Sequence, residues 1–393
     1  MDQTHFDVII AGGAAVGSAA AYFLTADPDF NGSVVVIEPD PTYQHCATAL
    51  SAASIRHQFS TEENIRMSRF GTEFLRTFAD TLAVDGVRPD PAFHEGGYLF
   101  LATPAGLPVL QENHVVQCRE GADIALLDAD ALRDRYPWLN VDDLAAGALG
   151  LSGEGWLDAY GMMQGLRHKA IAQGAAYLAR RVVGINRSGA QVTGVRLDDG
   201  TQLSCGVLIN AAGTGAPALS RLAGIELPVQ ARKRSVFYVQ CPERLPGCPM
   251  VIDPSGAYFR PEGQGFITGI APPPDQDTEC LDFDVQYALF EEVLWPLLAH
   301  RVPAFEALRC GRSWAGHYDM NLVDQNVILG LHPDLHNLYF ANGFSGHGMQ
   351  QSPAVGRALS ELIVHGRFRT LDLSRMGWRR ILEGRPIIEK NVV

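Results

Sequence analysis

Apolar residues fall in short unbroken runs near the amino terminus and in alternating runs through the middle of the chain. Val8-Ile9-Ile10-Ala11 has the length and β-branching of a strand buried on both faces. Gly12-Gly13-Ala14-Ala15-Val16-Gly17 then opens a helix of small residues, and Val34-Val35-Val36-Ile37 forms a second strand that Glu38 ends. Ser60-Thr61-Glu62-Glu63 reads as a capping box heading an amphipathic helix, with Ile65, Phe70, Phe74, Phe78 and Leu82 inward. Strands are predicted over 97–101, 177–185, 191–197 and 207–213, with a hairpin at Asp199-Gly200. Helices are predicted over 108–120 and 160–173, and Asp128 caps a short one between them. In the last third, 229–240, 257–260, 265–270, 310–318, 327–329 and 337–341 read as strands, and 284–300 and 353–365 as helices.

The first strand–turn–helix has the physics of dinucleotide binding. Gly12 permits a tight turn, Gly17 lets the helix approach the strand, and the helix amino terminus aims free amides at a pyrophosphate. Glu38 lies 21 residues after Gly17, close to the ~20 at which an acid meets a ribose hydroxyl pair. Ala14 stands where the second fingerprint glycine would be, and a structural glycine turn is the competing reading. Residues 8–26 carry no charge, which on hydropathy alone also suits a signal peptide or membrane helix. The first Lys or Arg is Arg56 and glycines crowd the middle of the run, so a soluble strand–helix unit is expected.

Small residues fill 46–54, which lets backbone lie against a flat ring or phosphate, or else marks an ordinary surface loop. A second strand–turn–helix closes the chain around Gly343-Phe344-Ser345-Gly346-His347-Gly348-Met349-Gln350. There a helix amino terminus can stabilise negative charge.

Composition adds boundaries. A net charge of −13 argues against nucleic acid or an anionic membrane as the main partner. Seven cysteines without a C-x-x-C pair read as reduced thiols, and the histidines show no metal-ligand spacing. The chain is long enough for two interleaved domains. We assign 1–83, 147–226 and 319–375 to nucleotide binding, 84–146 and 227–318 to substrate, and 376–393 to a tail.

The glycine turn with Glu38, Asn210-Ala211-Ala212-Gly213, and the 343–348 run together resemble the D-amino-acid oxidase family of FAD-dependent oxidoreductases, which includes glycine and sarcosine oxidases. The runs 255–260, 301–306 and 387–393 are similar to a branch that assists assembly of a mitochondrial respiratory complex. The resemblance implies an α/β fold, a Rossmann-type FAD domain (glutathione-reductase-like) interleaved with an α+β substrate domain on a mostly antiparallel sheet. It implies noncovalent, extended FAD: adenosine at Glu38, Pro39 and Val182, pyrophosphate on Gly12, Gly13, Ala14, Ala15, Val16 and Gly17. Further contacts are expected from Thr48, Ser51, Ala52, Ala211, Ala212 and Gly213. The flavin ring would lie near Gly343, Gly346, His347, Gly348, Met349 and Gln350.

For substrate, the resemblance implies Arg56 on a carboxylate, with Tyr258, Tyr318 and His347 around the reacting carbon. Departures are Gln350 where a carboxylate-binding Lys is expected, Ile267 for a dioxygen-activating Lys, and Tyr318 for a carboxylate-binding Arg. Gly316 stands where a flavin-linking Cys is expected. The basic run Arg232-Lys233-Arg234 is a solvated face or an anchor for an anion. The implied activity is hydride transfer from a carbon bearing an amine to FAD, giving an imine. A dehydrogenase feeding a quinone or other carrier is favoured over an oxidase. The alternative is a flavin-binding assembly protein with little turnover. The expected location is the bacterial cytoplasm, without a transmembrane segment, with peripheral contact at the membrane's inner face compatible with it.

Overall fold

The charge-free amino-terminal run folds as strand His5–Ala11 and helix Ala15–Ala26. Among the described residues, 3–391 of the computed structural model, no helix is long and apolar enough to cross a membrane. Strand His5–Ala11 buries Ile9 and Ile10 completely because it pairs in parallel on both sides, Val8 with Val34 and Ile9 with Leu208. The sheet around it runs Ile328–Leu331, Leu338–Asn342, Gln202–Asn210, His5–Ala11, Val34–Glu38, Ala176–Ala179, with Val182–Ser188 and Gln191–Leu197 appended as an antiparallel flap. Leu338–Asn342, Gln202–Asn210, His5–Ala11, Val34–Glu38 and Ala176–Ala179 are all parallel. Their carboxyl ends therefore share one edge, and the turns after Ala11, Glu38, Asn210 and Asn342 converge there.

A second eight-stranded sheet runs Arg309–Asn321, Val229–Gln240, Gly265–Gly269, Tyr258–Glu262, Met250–Ile252, Tyr98–Ala102, Ala146–Gly150, Ile124–Asp128. Only Met250–Ile252 with Tyr98–Ala102 is parallel. Together the two sheets make the mixed α/β fold expected. The domain boundary at 147 falls inside Ala146–Gly150, which pairs on both sides within the second sheet. Arg309–Asn321 likewise runs past the boundary at 318, carrying Asp319 toward the first sheet's edge.

Four local differences from the sequence reading have physical causes. The strand expected over 177–185 is two, because a turn at Arg180 moves Val182 onto the 191–197 strand. The helix over 284–300 is broken into three parts, with a π turn at Phe290–Leu294 before Pro296. The last helix starts at Gly348, not 353; Pro353 lies inside it, and Ser352 Oγ donates to the Met349 carbonyl (2.8 Å) that Pro353 cannot serve.

The capping box at Ser60–Glu63 does not form: helix Glu62–Arg76 has no side-chain cap from Thr61. Glu389 supplies it from the far end of the chain. Its carboxylate accepts from Ser60 N and Oγ (both 2.7 Å), Thr61 N (3.1 Å) and Asn64 Nδ2 (3.1 Å). Val392 and Val393, the end of that run, lie outside the described residues.

Glu389→Ala should therefore leave the Ser60 and Thr61 amides ahead of this helix and one Asn64 Nδ2 hydrogen without their acceptor, lowering stability by ~2 kcal/mol. Chemical denaturation with the flavin bound checks this, and an unchanged midpoint would contradict it.

Candidate functional site

The glycine turn is held by contacts that leave no space for side chains. A Cβ on Gly12, at φ +103°, would lie 2.3 Å from the Ala211 carbonyl oxygen, and one on Gly17 would lie 1.8 Å from the Gly12 oxygen. Gly13 N donates to Glu38 Oε2 (2.8 Å) and Asp40 N to Glu38 Oε1 (2.9 Å). Each Glu38 oxygen thus keeps a lone pair for a hydroxyl donor. Burial holds the Glu38 carboxyl above its ordinary pKa, against the two amides that pull it down. Helix Ala15–Ala26 has no side-chain cap, so its first-turn amides remain available at the turn.

A cavity of about 760 Å³ runs from this turn to the 343–349 hook, within the ~300–1,000 Å³ range of small-molecule sites. Of the residues expected at a cofactor, Gly12, Ala14, Ala15, Val16, Glu38, Pro39, Thr48, Ser51, Val182, Ala211, Ala212, Gly213, Gly346, Gly348 and Met349 line it. Gly13, Gly17, Ala52, Gly343, Gln350 and His347 stand behind the wall. Gly13 and Gly17 shape the turn. The Ala52 carbonyl takes the Arg260 guanidinium (2.8 Å), Gly343 N donates to Asp319 Oδ2 (2.7 Å), and Gln350 Oε1 accepts from Arg56 N (3.0 Å).

Among the four residues expected around the reacting carbon, only Tyr318 lines the cavity. Its ring lies so close to the hook that a Cβ on Gly346 would come within 2.6 Å. Tyr258 is half-buried, and its hydroxyl is 2.6 Å from where a Cβ on Gly269 would sit. His347 has its Nε2 3.1 Å from Arg56 Nη2 and its ring edge-on to Phe59. Burial and the Arg56 charge push its pKa down to about 3, so the ring is neutral. With Nε2 taking the guanidinium proton, it has no lone pair free for a base.

Arg56 itself is a buried cation among neutral acceptors, Gln58 O (2.8 Å), Asn391 O (2.5 Å) and His347. Phe59 lies 4.2 Å from the guanidinium carbon. Behind it, Glu154 is wholly buried and accepts from His57 N (2.5 Å), Gln58 N (3.1 Å) and Gln58 Nε2 (2.9 Å). Burial still pushes its carboxyl up to about 7.

Among the wall residues not foreseen, Asp319, His317 and Phe283 stand nearest Tyr318 or pack on its neighbours. Asp319 accepts the Gly343 amide and is pushed up to about 6 by burial. His317 packs edge-on to Phe283 at 4.6 Å and leaves Nε2 without a partner. The one sequence signal for His317 and Asp319 is position, either side of Tyr318, and Phe283 has none.

The wall fits FAD on its own geometry: free first-turn amides for phosphate, a half-satisfied acid for ribose, an apolar hook lined by Phe344 and Met349, and one orphan nitrogen. The fold and this edge define a nucleotide-dependent oxidoreductase of the flavoprotein class. The chain belongs to the DAO family, FAD dependent oxidoreductase, whose sequence model matches residues 7–362. It is 42% identical to FAD-dependent oxidoreductase domain-containing protein 1 of Xenopus laevis, over 98% of this chain and 85% of that protein. It is 25% identical to monomeric sarcosine oxidase of Bacillus sp. (strain B-0618), over 93% of this chain and 94% of that one. The solved L-proline dehydrogenase of P. horikoshii superposes with a TM-score of 0.85 at 25% identity, over 98% of this chain and 100% of that one.

Two outcomes are expected. Gly12→Ala drives a methyl into the Ala211 carbonyl, so the purified variant should lack flavin absorbance while the parent is yellow; a yellow variant would refute the close approach. Glu154 has a raised folded pKa, so its contribution is present below 4.5 and is lost as pH rises toward 7. The stability of Glu154→Gln measured against the parent should therefore climb between pH 4.5 and 7. A flat difference in melting temperature across that window would place the carboxyl in water.

Proposed function

We propose that this chain holds FAD noncovalently and oxidises the carbon next to an amine, in the class of secondary amines, N-methyl compounds and D-amino acids. Bound FAD supplies a two-electron acceptor for a hydride. The observation that carries the reading is the hook, where Gly346, Gly348 and Met349 face the cavity opposite Glu38 with Tyr318 and Asp319 beside them. Amides at the head of helix Gly348–His365 favour negative charge at that end. The Asp319 carboxylate keeps the hook bent by holding the Gly343 amide. The sarcosine oxidase and L-proline dehydrogenase relatives support amine chemistry.

Gly316 offers no nucleophile for a flavin link, and Cys310 is exposed. This supports noncovalent binding. We favour a dehydrogenase that passes electrons to a quinone or another carrier, because Ile267 is buried and apolar and no lysine lines the cavity among the described residues. A flavin-binding assembly protein with little turnover is the second reading. It is favoured by the placement of Arg56, Tyr258 and His347 behind the cavity wall.

Anaerobic addition of amines decides between them. At least one compound from a panel of secondary amines, N-methyl amino acids, D-amino acids and imino acids should bleach the flavin absorbance, and turnover under air should yield little peroxide. A panel that never bleaches the flavin would overturn the enzyme reading, and stoichiometric peroxide would overturn the dehydrogenase assignment.

A further inference from the structure

The cations around the hook end of the cavity are already engaged within the protein. Arg56 is 3% exposed and donates to the Gln58 carbonyl, the Asn391 carbonyl and His347. Arg234, whose guanidinium carbon lies 5.0 Å from the Tyr318 ring centre, makes a two-point pair with Asp277, 2.8 Å at each bond. Lys233 pairs with Asp282 (2.6 Å), and Arg260 with the Ala52 carbonyl and Glu262. Among the described residues, Arg181 is the one Lys or Arg in the cavity wall, and it stands at the far end beside Glu38. The hook end instead presents the Asp319 carboxyl, the Tyr318 ring and the unpartnered His317 nitrogen.

A carboxylate entering here would give up its water without gaining a cation, and would face the Asp319 charge. An amine bearing no carboxylate meets no such penalty, and Asp319 favours its positive charge. The segment that closes Arg56 is itself firmly held. Ile387 N donates to Asp324 Oδ2 (3.1 Å), Glu389 caps helix Glu62–Arg76, and Lys390 N donates to Ser60 Oγ (2.8 Å). The Asn391 side chain bridges Asn113 (3.0 Å) and the Gln58 carbonyl (3.2 Å), which leaves its own carbonyl on the guanidinium. Arg56 Nη2 lies 3.1 Å from His347 Nε2, so the guanidinium adjoins the hook and is withheld from the cavity by its bonds.

We propose that the substrate of this site is an amine that carries no carboxylate, and that residues 387–391 enforce this by retaining Arg56. The inference rests on the amine-oxidising function proposed above and narrows it. It sets amino acids aside in favour of simple secondary or N-methyl amines.

The test uses the FAD-loaded full chain and two matched pairs: pyrrolidine with proline (both enantiomers), and dimethylamine with N-methylglycine. The carboxylate-free member should reduce the flavin anaerobically with kcat/KM at least about tenfold higher. A chain ending at Lys390 keeps the Glu389 cap and removes the Asn391 carbonyl. It should bind proline and N-methylglycine about tenfold more tightly, read as the ligand-induced shift of the flavin spectrum, and Arg56→Gln in that shortened chain should cancel the gain. If the acids reduce the full chain as well as their partners do, the inference falls and the amine function stands. If the shortened chain gains nothing for the acids, residues 387–391 do not enforce the choice. If no member of either pair reduces the flavin, the amine function fails and takes this inference with it. The full-chain comparison decides the substrate class even if the shortened chain does not fold.

Discussion

The contact between Gly17 and the Gly12 carbonyl sets the geometry on which the site depends. A Cβ at Gly17 would lie 1.8 Å from that oxygen, so the helix can rest on the strand end only with hydrogen there. That closeness aligns the helix axis with the turn and leaves its uncapped amides facing the cavity. Gly12 plays the complementary part toward the neighbouring strand: a Cβ there would lie 2.3 Å from the Ala211 oxygen, and its absence allows 211–213 to form the opposite lip. The parallel pairing then brings Glu38 and the hook to the same edge without any further device. At the other end of the chain the same logic recurs: a Cβ on Gly356 would lie 2.6 Å from the Ala19 carbonyl carbon, so only hydrogen lets helix Gly348–His365 rest this closely on helix Ala15–Ala26 and fix the hook against the turn.

What could be read from the sequence follows from how local each signal is. The glycine turn, Glu38 and the strands around them are written in neighbouring residues, so the nucleotide edge and most of its lining were legible. The capping box was misleading because the local partner competes with a distant one. Glu389 takes the Ser60 hydroxyl and the Thr61 amide, the donor that the glutamate of a capping box would have taken. Pro353 read as a helix start for want of knowing that Ser352 would serve the orphan carbonyl. The basic run 232–234 gave no hint of Asp277 and Asp282, forty and more residues downstream, which turn an apparent anion site into an internal one.

Asp319 and His317 illustrate a different limit. Nothing in residue type separates an acid that holds a hook from one on a surface. Their roles come from the length of strand Arg309–Asn321, whose thirteen residues carry His317 and Asp319 along the edge of the second sheet to the cavity wall. Long-range pairing with Val229–Gln240, from Arg309 opposite Gln240 to Asn321 opposite Val229, sets that reach. Both strands belong wholly to the second sheet, and Asp319, by holding the Gly343 amide, ties their far end to the hook of the first.

The placement of the last residues follows from a buried ion pair more than from the residues themselves. Arg380 and Asp324 are both nearly inaccessible, with Arg380 Nε 2.6 Å from Asp324 Oδ2 and Nη2 3.1 Å from Oδ1. Asn321 Nδ2 and the amides of Asn326 and Ile387 complete the carboxylate. Such a pair contributes little net stability once its desolvation is counted, but it tolerates only one register. With Ile387 on Asp324, the chain between is too short to slip by a residue without burying Glu389 away from Ser60 and Thr61. An uncompensated buried carboxylate would cost far more than the slip could return. Position 391 is thus set by residue 380, and the carbonyl that meets Arg56 is chosen by register rather than by any property of Asn391.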